Sequence, residues 1–483
     1  MPDRSIVTQL PLWPFAPEAQ KTSVKPPDLH TLWQLPDYLP LCVTASPPIM
    51  RGLDLLGPLD WAHVPERNLQ RNWGQCTIPY AALAAAELIR LNEAIPSTGK
   101  LRRFLIEHPG FIWLCGFPLT LEPETPLGFN PRASLPTTRH LTDMLRTVPN
   151  ATLQFLLADS VRLIRAELAA RDVPAIDCVS LDTKHILAWV KENNPKAYVS
   201  NRFDKTQQPA GDPDCRLGCK RRRNQSTPTR NPVPAATVSV GEFYWGYGSG
   251  IVVSKVPVFG EFVLAELTQP FDHGDTTYFF PLMQQVEQRL GYKPRVGTFD
   301  AAFDAWYVHA YFYDETDPSR FAAVPFSEKG GYKEKGRQFS PDGLPICAAG
   351  LAMPLQFTFT DRTTCIIEHE RGKYVCPLLF PEQTARACPI RHKNWKKGGC
   401  TALMPTSIGA RLRYTLDRQS AAYKDAYRQR TAIERINSQA VGLGIERPHL
   451  RNGQAIANQN TLTYILINLR FLQRLRQHPP TPA

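Results

Sequence analysis

The feature that most constrains this chain is a stretch of helix-forming residues in which a tyrosine, an arginine and a glutamate recur at helical spacing. Residues 416–441 contain neither proline nor glycine, which predicts a single helix. Steps of three and four residues place Tyr427, Arg430 and Glu434 on one face of such a helix. A carboxylate binds a metal ion and a guanidinium binds a phosphate through two hydrogen bonds. This face therefore predicts phosphate chemistry at a metal ion, and the alternative is an Arg–Glu pair on a solvated face.

Two aspartates that follow apolar runs supply further carboxylates. Residues 176–182 predict a buried strand with Asp182 at its C-terminal end. Residues 295–300 predict a second strand, and Asp300 stands at its carboxyl edge, where open α/β sheets bind ligands. Three carboxylates on separate elements can hold two Mg²⁺ ions, which activate an attacking oxygen and stabilise a leaving one in phosphoryl transfer. We therefore expect Asp182, Asp300 and Glu434 to be both the metal ligands and the catalytic residues, with Mn²⁺ as a substitute metal.

These motifs, taken in this order, resemble those of the DDE transposases of bacterial insertion sequences. The closer similarity is to the subgroup whose third acid lies in a Tyr-x-x-Arg-x-x-x-Glu-x6-Lys signature. The stretch Asp300-Ala-Ala-Phe-Asp304 is similar to the family's Asp-x-x-aromatic-Asp pattern after the second acid. The lysine of the signature falls at Val441, and the candidates for its replacement are Arg435 and Arg447.

The resemblance implies a transposase that cuts the ends of an insertion sequence with two Mg²⁺ ions and joins them to target DNA. It implies double-stranded DNA as the partner, both the terminal repeats and the target, and a homodimer because both ends must meet the enzyme. Arg430 would hold a phosphate near the metals, and Tyr427 would pack or hydrogen-bond against the DNA backbone. Two other functions stay open: a metal-dependent DNA nuclease without strand joining, and a DNA-binding derivative whose catalytic site has decayed.

The charge of the chain suits a polyanionic partner. Its 56 Lys and Arg residues exceed its 44 Asp and Glu residues, for a formal net charge of +12. No apolar run approaches the length of a membrane span, and the N-terminus lacks a basic and then apolar signal pattern. We therefore expect a cytoplasmic protein, and the resemblance implies a bacterial one that is nucleoid-associated when bound to DNA. The candidate phosphate contacts, whose alternative is solvated loop charge, are Lys220, Arg221, Arg222, Arg223, Lys396 and Lys397.

The cysteines favour reduced thiols. The chain has 11 of them, an odd number in a long sequence, which argues against a disulfide framework. Cys215 and Cys219 form one close pair of soft ligands, and Cys388 and His392 form another. Structural Zn²⁺ usually takes two such pairs, so zinc is an alternative to the more common state of buried free cysteines.

The pattern of elements predicts an α/β protein with a ribonuclease H-like catalytic core, a β-rich insertion and a helical N-terminal domain. Within the core, residues 176–182 and 183–190 predict paired strands. The elements that follow complete a β-β-β-α-β-α order that fits this fold. In the helical domain, residues 81–91, 101–108, 139–146 and 152–171 predict helices. This domain is either a reader of DNA ends or a buttress packed on the core. The predicted divisions are a Pro-rich irregular arm (1–60), the helical domain (61–172), the core (173–314 and 418–476) and the insertion (315–417).

The interval from Asp300 to Glu434 is too long for a plain connection, which implies an inserted subdomain. Runs of alternating polarity, such as residues 355–360, predict that much of it is β-structure. A helix at 453–476 closes the predicted fold.

Overall fold

The structure is a computed structural model that describes most of the chain. The described residues are 23–24, 29–35, 37, 39, 41–69, 77–174, 176–220, 242–327, 336–362, 366–384 and 386–477. Three candidate phosphate contacts, Arg221, Arg222 and Arg223, lie outside these residues, as do residues 1–22 of the predicted arm. Lys220 is described only by its backbone.

The first part of the described chain is helical, as the apolar periodicity predicts. The side chains of Ser97 and Thr137 accept backbone N–H hydrogen bonds and cap two of the helices. Two short strands, β1 (Ser23–Val24) and β2 (Leu119–Thr120), pair antiparallel. The helices are α1 (Leu29–Gln34), α2 (Leu41–Thr44), α3 (Pro47–Leu56), α4 (Tyr80–Asn92), α5 (Thr98–Glu107), α6 (Pro109–Leu114), α7 (Pro131–Ser134), α8 (Thr138–Thr147) and α9 (Asn150–Ala169).

The helices predicted from the sequence at 81–91, 101–108, 139–146 and 152–171 are confirmed as α4, α5, α8 and α9. The predicted irregular arm does not extend over all of residues 1–60. Within that range α3 is a regular helix that buries Leu53 and Leu56, because its apolar residues recur at helical spacing.

A mixed sheet forms the centre of the described chain. From one edge, its order is β6, β5, β3, β7 and β8, and β4 pairs with the first residues of β5 on the same side as β6. Strand β5 runs antiparallel to β3, β4 and β6, whereas β3, β7 and β8 are parallel. The strands are β3 (Cys178–Leu187), β4 (Arg216–Lys220), β5 (Glu242–Val256), β6 (Gly260–Pro270), β7 (Val296–Thr298) and β8 (Phe321–Ala323).

The prediction of paired strands at 176–182 and 183–190 is wrong. The two runs form the single strand β3, which pairs with β5 without interruption from Ser180 to Leu187. Neither Gly, Pro nor Asn stands between them to make a turn. Asp182 therefore lies in the middle of a strand rather than at its C-terminal end.

Helices cover the sheet and connect its strands. Helix α10 (Phe279–Leu290) connects β6 to β7, and α11 (Trp306–Phe312) connects β7 to β8. Phe279, Phe299 and Phe312 are fully buried between these helices and the sheet. The described fold is thus a mixed α/β structure.

The predicted insertion contains a second, smaller sheet. Its strands β9 (Leu355–Asp361), β10 (His369–Val375) and β11 (Thr401–Pro405) pair antiparallel in the order β11, β10, β9. Because β8 pairs with β7, residues 321–323 belong to the central sheet, although they fall within the predicted insertion that starts at residue 315. Helix α12 (Ile408–Thr415) follows and packs on α11.

Three helices end the described chain: α13 (Ala421–Arg428), α14 (Thr431–Gly442) and α15 (Gly453–Gln477). Helix α15 packs against α9 on one side and β6 on the other, so the N-terminal helices share one hydrophobic core with the central sheet. This packing is what a buttress requires, and the role of DNA-end reader stays a prediction. No helix among the described residues is long and apolar enough to cross a membrane.

Candidate active site

The register of the parallel strands places Asp182 and Asp300 side by side. Ser180 of β3 is paired with Thr298 of β7, and each aspartate lies two residues beyond its paired residue. Strand β7 ends at Thr298, and Asp300 then caps a short 3-10 helix by accepting the Ala302 N–H at 2.8 Å. The two carboxylates therefore meet at the carboxyl edge of β7, as the position of ligand sites in open α/β sheets predicts.

The prediction of one continuous helix over residues 416–441 is wrong, because the segment contains two helices, α13 and α14. Arg430 and Ile433 donate backbone hydrogen bonds to the carbonyls three residues back, so a tighter turn separates α13 from α14. The Thr431 hydroxyl donates to the Arg428 carbonyl at 2.9 Å and occupies an acceptor of the regular helix. Thr side chains commonly interrupt helices in this way.

Arg430 connects the third acid to the first. Its Nη1 lies 2.9 Å from Glu434 Oε1 and 3.8 Å from Asp182 Oδ2. Burial opposes the ionisation of Arg430, but Asp182, the neighbouring Tyr427 hydroxyl and Glu434 outweigh burial and raise its pKa. The Tyr427 ring stacks on Tyr423 at 5.8 Å between centroids. Helix α14 packs on β3, β5 and β6, which holds Glu434 on the same side of the sheet as Asp182. The structure thus brings together the three acids, Tyr427 and Arg430.

Burial and mutual repulsion change the ionisation of the two aspartates. Burial, and then the negative charge of Asp300, raise the pKa of Asp182 to about 7. Burial also raises the pKa of Asp300, together with the charge of Asp275 and against the hydrogen bond from the Ala302 N–H. Carboxylates crowded in this way favour a bound cation, because a cation removes both the repulsion and part of the desolvation cost.

Asp275 is a fourth carboxylate at the site, which the sequence analysis missed. It begins a short 3-10 helix before α10, and its Oδ1 accepts a hydrogen bond of 2.5 Å from the Thr183 hydroxyl. Its charge also acts on Asp300. The available signal was an acid between the end of a predicted strand and the start of a predicted helix, the same signal that identified Asp300.

The donor atoms of the site suit a hard divalent cation, since Asp182, Asp300 and Glu434 offer carboxylate oxygens, as Mg²⁺ prefers. The present arrangement is nevertheless incomplete as a metal site. Within the described residues, no group of three or more His, Cys, Asp or Glu side chains is arranged to hold a metal ion. Glu434 instead pairs with Arg430.

Asp304 has a structural role and is buried. Its side chain is fully buried and accepts hydrogen bonds from Arg413 at 2.8 Å and from the Ser327 N–H at 2.7 Å. Burial opposes its ionisation, but hydrogen bonds from His309 and Arg413 outweigh burial and lower its pKa to about 2. Because Arg413 lies on α12, Asp304 attaches the end of the insertion to the segment that carries Asp300.

Residues beside Asp182 on β3 have other partners. Lys184 pairs with Glu446 at 3.0 Å, and the His185 ring packs 4.6 Å from that of Phe271. Arg435, a candidate replacement for the signature lysine, pairs with Glu261 of β6, while Val441 is partly exposed.

The other predicted phosphate contacts lie away from these elements in sequence. Lys396 and Lys397 are exposed on a short 3-10 helix of the insertion, beside the half-buried Trp395. Their exposure leaves them accessible, and their contact with DNA stays a prediction.

Three thiols of the insertion come together. Cys347 and Cys376 lie beside Cys400, and burial followed by these neighbouring thiols raises the pKa of Cys400 to about 12. The described cysteines are free thiols, as predicted. A zinc site built from the cysteines stays a prediction, as does the Cys388–His392 pair within it.

Two comparisons with known proteins found no relative of this chain. No protein-family model matches the chain, and no curated protein matches it. The resemblance to DDE transposases therefore rests on the residues themselves.

Proposed function

We propose that the protein is a DDE transposase that cuts the ends of an insertion sequence and joins them to target DNA. The observation that carries the proposal is the pairing of Ser180 with Thr298, which brings Asp182 and Asp300 together. Glu434 reaches the same place from a later helix through its contact with Arg430. Three acids that are remote in sequence thus lie around one place on the sheet, and metal-dependent phosphoryl transfer uses carboxylates grouped in this way.

The order of elements supports a ribonuclease H-like core. Strands β3, β5 and β6 are followed by α10, β7 and α11, which is the β-β-β-α-β-α order expected for this fold. Strand β4 comes between β3 and β5 in the sequence, and in the sheet it is an addition that pairs with β5. The three-stranded sheet β9–β11 between Asp300 and Glu434 supports the expected β-rich insertion.

Each side chain has a role in the proposed reaction. Asp182 and Asp300, raised in pKa by burial and by neighbouring carboxylates, supply the oxygens that favour a cation. Two Mg²⁺ ions held there and by Glu434 would activate the attacking oxygen and stabilise the leaving one. Arg430 is placed beside Tyr427 and would bind a phosphate through the two arms of its guanidinium. A homodimer would hold the two ends of the element together.

The experiment that tests the proposal uses purified protein, Mg²⁺ and a DNA duplex with the ends that flank its own gene. We expect cuts at the element boundary, loss of these cuts in Glu434→Ala, and retention of end binding. Asp425→Ala is the matched control, since Asp425 is an exposed acid on α13 that pairs with Arg428.

A second arm separates a transposase from a nuclease of the same core. Pre-cut ends are incubated with target DNA, and joined products are expected. Cutting without joining would favour the nuclease, and end binding without cutting in the unmodified protein would favour the decayed derivative. Full cleavage by Glu434→Ala would refute the catalytic assignment.

A further inference from the structure

Arg430 makes ion pairs with two of the acids that a cation would need. One atom, Nη1, approaches both Glu434 Oε1 at 2.9 Å and Asp182 Oδ2 at 3.8 Å. The turn between α13 and α14 sets its position, because the Thr431–Arg428 hydrogen bond interrupts the helix next to it. Its side chain is 24% exposed, so a molecule arriving from solvent can reach it.

The competition between Arg430 and a metal follows from shared atoms. A carboxylate oxygen that contacts a guanidinium is partly neutralised, and a divalent cation must displace that contact to bind the same oxygen. Arg430 is the cation that contacts both Asp182 and Glu434.

A phosphate offers Arg430 a better partner than either acid. The two contacts of Nη1 lie on one arm of the guanidinium, whereas a phosphate accepts two parallel hydrogen bonds from the fork. Glu434 is 59% exposed, and exposed ion pairs are weak, so its contact is readily exchanged.

We propose that Arg430 is a substrate-sensitive counter-ion that lowers the metal affinity of Asp182 and Glu434 until a DNA phosphate takes its guanidinium. This inference rests on the proposed function only for DNA as the source of the phosphate. Binding of the two ligands is then reciprocal: DNA strengthens metal binding, and the metal strengthens DNA binding by the same factor. The device prevents a fully loaded metal site from forming in the absence of DNA.

The test measures Mn²⁺ affinity by calorimetry on protein without DNA. We expect Arg430→Gln to bind Mn²⁺ about tenfold more tightly than the unmodified protein, a difference of about 1.4 kcal/mol. The matched control is Arg428→Gln, which removes an equal charge from an arginine that is two residues away and pairs with Asp425. Arg430→Lys, which keeps the charge, should stay close to the unmodified protein, and equal melting temperatures verify that the variants fold.

A second titration adds a pre-cut end duplex that terminates in a 2′,3′-dideoxynucleotide. This duplex cannot be joined because it lacks the 3′-hydroxyl. This DNA should raise the Mn²⁺ affinity of the unmodified protein and change that of Arg430→Gln little. Equal Mn²⁺ affinity of the DNA-free Arg430→Gln and unmodified proteins would overturn the inference, even if the protein cuts DNA normally. An equal effect of DNA on both proteins, or no effect on the unmodified one, would also overturn it. Failure of the proposed function appears separately, as absence of cleavage at the element ends.

Discussion

At the scale of single residues, the surroundings of Asp182 oppose the ionisation that metal binding requires. Its side chain is only 22% exposed, yet it stands beside Asp300 and must be ionised to bind a cation. Arg430 offsets part of the repulsion from a distance of 3.8 Å. Burial and the charge of Asp300 accordingly raise the pKa of this carboxyl from the usual 3.8 to about 7.

Substitution of this carboxyl predicts a pH-dependent gain in stability. Because the folded pKa of Asp182 lies above the unfolded value, the folded protein binds more protons between pH 4 and 7 and loses stability as the pH rises through this window. At 1.36 kcal/mol per pKa unit the loss is at most about 4 kcal/mol, less what solvent exposure removes. Asp182→Asn avoids this loss, so it should melt at a higher temperature than the unmodified protein at pH 8 and near the same temperature at pH 4.

Thermal melting with a chelator present at both pH values checks this prediction. The control is Asp317→Asn, a surface aspartate on the loop before β8 that pairs with Arg295. If the difference between Asp182→Asn and the unmodified protein is the same at pH 4 and pH 8, the pKa of Asp182 is not raised in the folded state.

At the scale of elements, the outer edge of the central sheet is closed by a helix rather than by another strand. Asn468 of α15 is fully buried, and its amide takes the place of a neighbouring strand. Its Nδ2 donates to the Val263 carbonyl at 2.8 Å, and its Oδ1 accepts from the Val263 N–H at 2.8 Å. These bonds attach α15 to β6, and they satisfy two backbone groups that would otherwise be buried without partners.

Replacement of Asn468 by Leu should therefore destabilise the fold strongly. The two orphaned groups of Val263 cost about 1–3 kcal/mol each, so we expect a loss of about 2–6 kcal/mol. The midpoint of urea unfolding measures it, with Gln477→Ala at the exposed end of the same helix expected within about 0.5 kcal/mol of the unmodified protein. An Asn468→Leu midpoint as high as that of the control would show that these bonds do not hold the edge.

At the scale of the whole molecule, the net charge of +12 predicts how binding responds to salt. A protein that contacts DNA phosphates releases counter-ions, so its affinity falls as the salt concentration rises. The exposed Lys396 and Lys397 of the insertion are candidates for such contacts.

Removal of both lysines should flatten the salt dependence of DNA binding. The slope of log affinity against log salt changes by about 0.9 for each phosphate that the protein no longer neutralises, so Lys396→Ala with Lys397→Ala should flatten it by about one to two. Fluorescence anisotropy with a labelled end duplex at several salt concentrations measures the slope. Arg139→Ala, at a residue 93% exposed on α8, is the control, and a double variant with the slope of this control would place both lysines outside the DNA interface.

The sequence by itself determined the local elements and the acids. Apolar periodicity located α4, α5, α8, α9 and α15, because it reports which face of a helix is buried and needs no knowledge of the partner. Asp182 and Asp300 were identified for a similar reason, since an acid that interrupts or follows a buried strand is a local signal. The same reasoning missed the continuity of β3, because no sequence signal says which strand pairs with it.

Only the tertiary structure decided which of these residues meet. The register of Ser180 with Thr298, the arrival of Asp275 at Thr183 and the burial of Asp304 against Arg413 each join residues about a hundred positions apart. The break before Arg430 also escaped the sequence, since neither Gly nor Pro marks it. Such contacts depend on how elements pack, and a local pattern does not contain the free energy of that packing.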